Sequence, residues 1–307
     1  MSTLPPMPPG QEVFYYASQT TFWIFMRADR ALVQKALGKQ LDSLGFSLAS
    51  FSGDDAYLVI TPMVYTATFN DGSAGIPEVE FNVLVYPTSQ KGRVPVLTFA
   101  EFLLGWDQQK VIGQLRLDVI TDNQAAVEGG RSKYGEHKFL GVLTYKVPSP
   151  NDNARKPSPF AIELTVSQVP KGKGVPGELC FKLDASVAGL SSMSTDASEV
   201  VVYGALPPEP GDRPQRTIAT RRNHLGLYSL WLAGDDHHGH VRLAYGDCHD
   251  APPLIIDGKP VPGSSHWPQQ MRERMAELLA GARPAAYLLF ASPPVEIEPR
   301  PYYVDPV

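Results

Sequence analysis

The segment that decides the fold reads Gly130-Arg131-Ser132-Lys133-Tyr134-Gly135-Glu136-His137-Lys138-Phe139-Leu140. It places several basic side chains between glycines and ends on an apolar pair. From residue type alone, Lys138 belongs on an exposed basic turn, because lysine is seldom fully buried. The surrounding sequence decides whether Lys138 is instead a functional group.

An alternating apolar strand is predicted just before this segment, over residues 112–120. The side of the strand that is expected to face the core carries Leu115, Leu117 and Val119. Asp122 or Asn123 is the candidate N-cap of a short helix that follows. The pair Gly129-Gly130 is expected to end or distort that helix, because glycine is a poor helix former.

Short strands separated by turn residues dominate the remaining sequence. One helix is predicted after Asp29, a candidate N-cap, and another runs from Pro268 to Gly281. Many short strands with two or three helices indicate an α+β fold built on a barrel or a sandwich. Strands are predicted at residues 22–26, 56–67, 78–86, 162–169, 179–183, 225–232, 241–245 and 285–290.

Two polar, proline-containing segments, residues 148–159 and 206–215, are predicted to be loops. Residues 1–12 are predicted to form a loose N-terminal arm. Strand patterns resume directly after the first loop, so we expect residues 1–307 to form a single domain.

Composition limits the function. The 307-residue chain has a net charge of −5 and a pI of about 5.8, whereas nucleic-acid-binding proteins normally present a basic face. No apolar run approaches the roughly 20 residues of a membrane span, and the N-terminus lacks the pattern of a signal peptide. Cys180 and Cys248 are too few for a disulfide framework. We therefore expect a cytoplasmic protein with neither nucleic-acid nor membrane partners.

A histidine-rich segment, Asp235 to His240, is a competing functional signal. His238 and His240 alternate, which places both on one face of a strand. The spacing matches no zinc-binding motif, and glycines flank the segment. We interpret it as a solvated turn, with no bound metal; a divalent metal site is the alternative.

Residues Thr121 to Arg131, followed by Gly135-x-x-Lys138-x-Leu140-Gly141, resemble the acetoacetate decarboxylase signature. In that family a helix start rich in Asp and Asn leads into Gly-Arg-Glu and then Gly-[apolar]-Pro-Lys-Lys-Leu. The first lysine of the pair forms an imine and corresponds to Lys138. The resemblance implies the family's fold, a β-barrel or antiparallel sheets with a few flanking helices, and assembly into a homo-oligomer.

Two further site residues follow from the same resemblance. The segment Met26 to Leu32 is similar to the family's strand that ends in an arginine, which contacts the substrate carboxylate and corresponds to Arg27. The family's Pro-x-x-Glu element resembles Pro77 to Glu80, so Glu80 corresponds to its active-site glutamate, with Glu78 as the alternative register. Glu80 is expected to orient Arg27 or to transfer protons. Arg131 and Tyr134 complete the expected substrate-binding set.

An unprotonated amine is needed to attack a ketone, yet the pKa of a free lysine is about 10.4. An apolar pocket or a neighbouring cation lowers that value. This sequence has Phe139 in place of the family's second lysine, His137 in place of its proline, and Glu136 in place of an apolar residue. The family has a further pocket glutamate. In this sequence, Tyr65 is the nearby polar residue whose side chain has a similar reach.

The resemblance implies a cofactor-free lyase that binds a keto acid as an imine on Lys138 and decarboxylates an acetoacetate-like β-keto acid. Aldolase or dehydratase chemistry through the same imine is the second hypothesis. A catalytically inactive small-molecule-binding protein of the same fold is the third.

Overall fold

A computed structural model describes residues 14–67, 75–146, 161–173, 177–195, 199–206, 216–224, 227–233, 240–292, 296–298 and 302–304. The helices are α1 (Arg30–Leu44), α2 (Phe99–Leu103), α3 (Gln124–Tyr134) and α4 (Trp267–Leu278), with 3-10 turns at Thr88–Arg93 and Ser264–His266. The strands are β1 (Phe14–Asp29), β2 (Phe46–Leu48), β3 (Asp55–Ala67), β4 (Ile76–Pro87), β5 (Gly113–Thr121), β6 (Lys138–Leu140), β7 (Val142–Lys146), β8 (Ala161–Ser167), β9 (Leu179–Ser186), β10 (Ser192–Met193), β11 (Glu199–Leu206), β12 (Arg216–His224), β13 (Leu227–Leu232), β14 (His240–Tyr245), β15 (Ile255–Ile256), β16 (Lys259–Pro260), β17 (Arg283–Ser292), β18 (Glu296–Glu298) and β19 (Tyr302–Val304).

Thirteen of these strands form one large, mostly antiparallel sheet. Its centre is the run β1-β3-β4-β5, and β6 and β11 each pair parallel to β5. Strands β7, β8, β9 and β14 form a second, antiparallel sheet, and β15 pairs with β16. The predicted α+β class, with large antiparallel sheets and few helices, is confirmed; a closed barrel is not detected in the described part of the chain. No described helix is long and apolar enough to cross a membrane.

Helix α1 follows β1 as the sequence predicts. The Asp29 carboxylate accepts a hydrogen bond from the backbone N–H of Leu32 at 2.9 Å, which satisfies one free donor of the first turn. The helix ends at Gly45, whose φ of 73° is the left-handed conformation that glycine adopts most readily. Its buried face carries Val33, Leu37, Leu41 and Leu44.

Strand β5 contains a bulge that overturns one sequence prediction. Phe81 of β4 lies opposite Asp118, but its neighbour Asn82 lies opposite Arg116, so Leu117 has no opposite residue. The extra residue reverses the alternation of side chains along the strand. Leu115 and Leu117 therefore pack in the main core, whereas Val119, which was predicted to share their side, does not.

Helix α3 begins at the predicted cap, where the Asn123 side chain accepts from the Ala126 N–H at 2.9 Å. The prediction that Gly129-Gly130 would end or distort this helix is wrong. The helix continues to Tyr134 and ends at Gly135, which has a φ of 61°. Gly130 has another role: a Cβ atom there would collide with Glu136 Oε2 and lie 2.6 Å from Lys138 Cδ.

The other predicted elements are confirmed; β1 begins eight residues before its predicted start, and the other ends shift by at most a few residues. They correspond to β1, β3, β4, β8, β9, β13, β14, β17 and α4. Helix α2 was not predicted, although Thr98 and Glu101 carry the signature of a capping box and form one here. The predicted arm at 1–12, the loop at 148–159, and most of the loop at 206–215 lie outside the described residues.

The glycine pair offers a matched test of this packing. Gly129→Ala should stabilise the protein by about 0.5–1 kcal/mol, because no atom lies within 4 Å of the new methyl group and alanine favours helix. Gly130→Ala should destabilise it by roughly 1–3 kcal/mol, since the methyl group overpacks a buried site. Urea-induced unfolding measures both changes. Equal effects of the two substitutions would contradict the packing described for Gly130.

Candidate active site

Lys138 is the first residue of β6, beside Val119 of the bulged strand β5. The three residues after α3 connect the helix to β6, and the Val119 N–H donates to the carbonyl oxygen of His137 at 3.0 Å. Only 4 % of Lys138 is exposed. The lysine is therefore buried, in contrast to the exposed turn that its residue type alone would suggest.

Two carboxylates surround the Lys138 amine. Its Nζ lies 2.6 Å from Glu78 Oε2 and 3.1 Å from Glu136 Oε2, and both glutamates are buried. The Tyr65 hydroxyl donates a hydrogen bond of 2.8 Å to the same oxygen of Glu78. This geometry holds the amine in a fixed position and places a proton acceptor in direct contact with it.

Arg116 extends this contact into a network. Its Nε donates to Glu80 Oε1 at 3.0 Å, and its Nη1 donates to Glu136 Oε1. The other oxygen of Glu80 accepts from Asn82 Nδ2 at 2.9 Å. Glu136 thus bridges two cations, Arg116 and Lys138, each of which binds one of its oxygens.

The network sets the protonation of the lysine. Burial on its own lowers the pKa of Lys138, but the negative charges of Glu136 and Glu78 and their hydrogen bonds outweigh it, and the net effect raises the pKa. Burial raises the pKa of Glu78, and Glu80 adds to that increase, while Lys138 opposes it. At neutral pH the amine is an ammonium ion, and the raised pKa of Glu78 favours its accepting a proton.

The structure brings together several residues that were predicted from sequence. Glu80 and Glu78, the two alternatives for the pocket glutamate, both lie in the network: Glu78 contacts Lys138, and Glu80 contacts Arg116. Arg131 Nη1 donates to the Lys138 carbonyl oxygen at 3.3 Å. Tyr134 is buried in the last turn of α3.

Arg27 is not brought to this network. It lies opposite Tyr57 of β3, whereas Glu80 lies opposite Thr61, four residues farther along the same strand. The Arg27 Nε is 3.9 Å from Asp55 Oδ2, and the side chain is 36 % exposed. It lines a separate cavity of about 690 Å³.

Sequence reasoning missed Arg116 and did not foresee that Glu136 would bind both cations. A signal was present, because Gln114, Arg116 and Asp118 alternate with leucines in an otherwise apolar strand. Arginine and aspartate are rarely buried unless they are paired. Such a strand predicts carboxylate partners on its neighbours, which here are Glu80 and Glu136.

The histidine-rich segment remains a prediction in part, since His237 and His238 lie outside the described residues. His240 is described, and its Nε2 lies 3.0 Å from Asp184 Oδ1. Within the described ranges, no group of three or more His, Cys, Asp or Glu side chains is arranged to hold a metal ion.

Comparison with solved structures identifies the fold. The enduracididine biosynthesis enzyme MppR is 12 % identical, with a TM-score of 0.56 over 99 % of this chain and 89 % of its own. An acetoacetate decarboxylase-like enzyme from Sphingomonas wittichii is 11 % identical (TM-score 0.54, 97 % and 94 %), and acetoacetate decarboxylase from Legionella pneumophila is 12 % identical (0.52, 99 % and 91 %). The chain has the acetoacetate-decarboxylase-like fold. No protein-family profile matches the sequence, and the comparison with curated proteins found no match.

Lys138 forms a buried ion pair and Lys146 an exposed one, so the two lysines are a matched pair for measuring how burial changes the contribution of an ion pair to stability. Lys138→Met should destabilise the protein by about 3–5 kcal/mol at neutral pH, because Glu78 and Glu136 are left buried without their cation. Lys146→Met removes a 2.8 Å pair with Glu163 that is largely exposed, and should cost at most about 1 kcal/mol. Urea unfolding measures both. Similar small costs would show that Lys138 is not held as described.

Proposed function

We propose that this protein is a Schiff-base-forming lyase in which Lys138 is the nucleophile and a keto acid is the substrate. The observation that carries the proposal is the 2.6 Å contact between the buried Lys138 Nζ and Glu78 Oε2. The similarity of the fold to acetoacetate decarboxylase-like enzymes supports it.

Proton transfer from Lys138 to Glu78 starts the reaction. The ammonium ion gives one proton to the Glu78 carboxylate, and the resulting amine attacks the substrate carbonyl carbon. The carbinolamine then takes the proton back from Glu78 on its hydroxyl group and loses water, which leaves a protonated imine. The raised pKa of Glu78 suits this exchange, because a buried carboxyl with that property both accepts and returns a proton.

Arg116 positions Glu136 by donating from its Nη1 to Glu136 Oε1. Because Glu80, which itself accepts from Asn82, holds Arg116 from the other side, the guanidinium stays fixed when the amine loses its charge. The second lysine of the family signature is absent here, and this arrangement of carboxylates and Arg116 takes its place. The free amine is obtained by moving its proton to Glu78, rather than by a neighbouring cation that lowers its pKa.

Decarboxylation of an acetoacetate-like β-keto acid is the reaction that we place first. The protonated imine is the electron sink: the bond to the carboxylate breaks, CO2 leaves, and the electron pair forms an enamine that is then protonated at carbon. Glu78 and Glu136 would repel a substrate carboxylate beside the imine and so favour its loss. The imine itself accepts the electrons, so the proposal includes no cofactor.

Aldolase or dehydratase chemistry is the second candidate. The two carboxylates beside Lys138 favour it, since removing a proton next to the imine carbon requires a base within reach. MppR, which has the same fold, has been solved with pyruvate and with the condensation product of pyruvate and imidazole 4-carboxaldehyde. Assays should therefore include acetoacetate alone and pyruvate with an aldehyde.

Borohydride reduction tests the imine. Incubation with acetoacetate or pyruvate, followed by reduction, should add the mass of one reduced ligand to a peptide that contains Lys138. Lys138→Met should abolish the adduct, and Lys146→Met should leave it unchanged. No adduct with a panel of keto acids would indicate a binding protein without imine chemistry, and an adduct that persists in Lys138→Met would place the imine elsewhere.

The pH dependence of adduct formation tests the role of the carboxylates. Glu136→Gln removes one of the two negative charges that raise the pKa of Lys138, so that pKa should fall. The rate of adduct formation, which rises with the fraction of free amine, should then reach its plateau at a lower pH than in the wild-type protein. Glu163→Gln, which changes an exposed glutamate, is the control. An unshifted profile would contradict the proposed control of the lysine by Glu136.

A further inference from the structure

A second cavity, of about 880 Å³, lies between helices α1, α3 and α4. Its lining includes four basic or potentially basic side chains: Arg116, Arg131, His137 and Arg274. The acidic residues Glu128 and Asp257 also line it, and Glu136 borders it with Arg116. The proposed reaction at Lys138 uses neither Arg131, His137 nor Arg274 as a reacting group.

Arg131 is the cation in this cavity that lacks an anionic partner in the described ranges. Its one hydrogen bond goes to the Lys138 carbonyl oxygen, and its guanidinium lies 4.5 Å from the ring centroid of Trp267. It is half-buried, and burial lowers its pKa, which reflects the cost of a desolvated positive charge. The position over the Trp267 ring holds the guanidinium in place, and among the described residues most of its N–H donors have no acceptor.

The other arginines of the cavity are already neutralised. Arg274 Nη1 donates to Asp118 Oδ2 at 2.7 Å, and Arg116 is bound by Glu80 and Glu136. Glu128 accepts from the neutral amide of Gln124 at 2.7 Å and keeps its negative charge. Of the arginines in the cavity, Arg131 is therefore the one whose charge a ligand anion would compensate.

His137 also lines the cavity and is held by the buried residue Asp118. Its Nδ1 lies 2.8 Å from Asp118 Oδ1, and its ring contacts Trp267 with centroids 4.6 Å apart. A carboxylate at Nδ1 fixes the ring proton there, so that Nε2 of the neutral ring is an acceptor. No hydrogen bond to Nε2 is found among the described residues, and the side chain is 31 % exposed.

We propose that this cavity binds a small organic anion, with its carboxylate or phosphate group on Arg131 and its hydroxyl group donating to His137. The planar fork of arginine matches either anion. The site lies beside the Lys138 network, with which it shares Arg116 and Glu136, but binding of an anion there requires no imine.

Two probes that carry no carbonyl group test the proposal: lactate, a hydroxy-carboxylate, and inorganic phosphate. Because Trp267 contacts both Arg131 and His137, its fluorescence should change saturably as either probe binds to the full-length protein. Arg131→Gln should weaken binding roughly tenfold or more, as expected for the loss of charge-assisted hydrogen bonds. Arg242→Gln, at an exposed position on β14, is the matched control and should have no effect. Saturation by lactate alone would identify a carboxylate ligand, and saturation by phosphate alone a phosphate ester.

Arg131→Lys is the second variant, should the glutamine variant fail to fold. It keeps the charge but loses the fork, so binding should weaken by a smaller factor. Calorimetry with Trp267→Phe separates loss of the fluorescence signal from loss of binding. Absence of saturable binding for both probes would overturn the proposal. So would binding that is unchanged in the Arg131 variants but lost in Lys138→Met, because that result would place the anion at the lysine.

Discussion

The contact of the Lys138 ammonium with Glu78 and Glu136 is the interaction on which the rest of the site depends. A buried ammonium group is tolerated only when its charge is compensated and its donors are satisfied. Here Glu136 is shared with Arg116, and Arg116 is held in turn by Glu80. In this network each buried charge is compensated by a neighbouring charge. The network is therefore one unit rather than a set of independent pairs.

Local features of the backbone make that unit possible. The bulge in β5 turns Arg116 to the same side of the sheet as Glu80 and Asn82, and places Asp118 on the opposite side. Gly130 leaves room on α3 for the side chains of Lys138 and Glu136. A regular strand would turn Arg116 away from Glu80, and a side chain at position 130 would crowd Glu136 and Lys138. The packing of the network therefore depends on two positions that carry no charge.

The side chains of the segment after α3 alternate in direction, so they lie in two different environments. Glu136 and Lys138 point into the buried ion network, whereas His137 and Phe139 point to the other side, where both contact the Trp267 ring. Phe139, at the position of the second lysine in the family signature, is part of the main hydrophobic core. The substitution thus removes a cation from the site and adds an aromatic ring to the core. That is consistent with a lysine controlled by carboxylates.

The sequence by itself predicted the α+β class, most of the longer strands and helices, and Lys138 as a candidate functional residue. Periodicity, caps such as Asp29 and Asn123, and the spacing of one motif are local properties that can be read along the chain. The side of β5 that Val119 faces, the continuity of α3 through its glycines, and the position of Arg27 were decided only by the tertiary structure. The tertiary structure also decided which charged groups surround Lys138. Arg116 contacts Glu80, which is 36 residues away in sequence, and Glu136, which is 20 residues away. Both contacts depend on the sheet register and on one bulge. Register is set by the packing of whole strands against one another, and no single segment of sequence contains it.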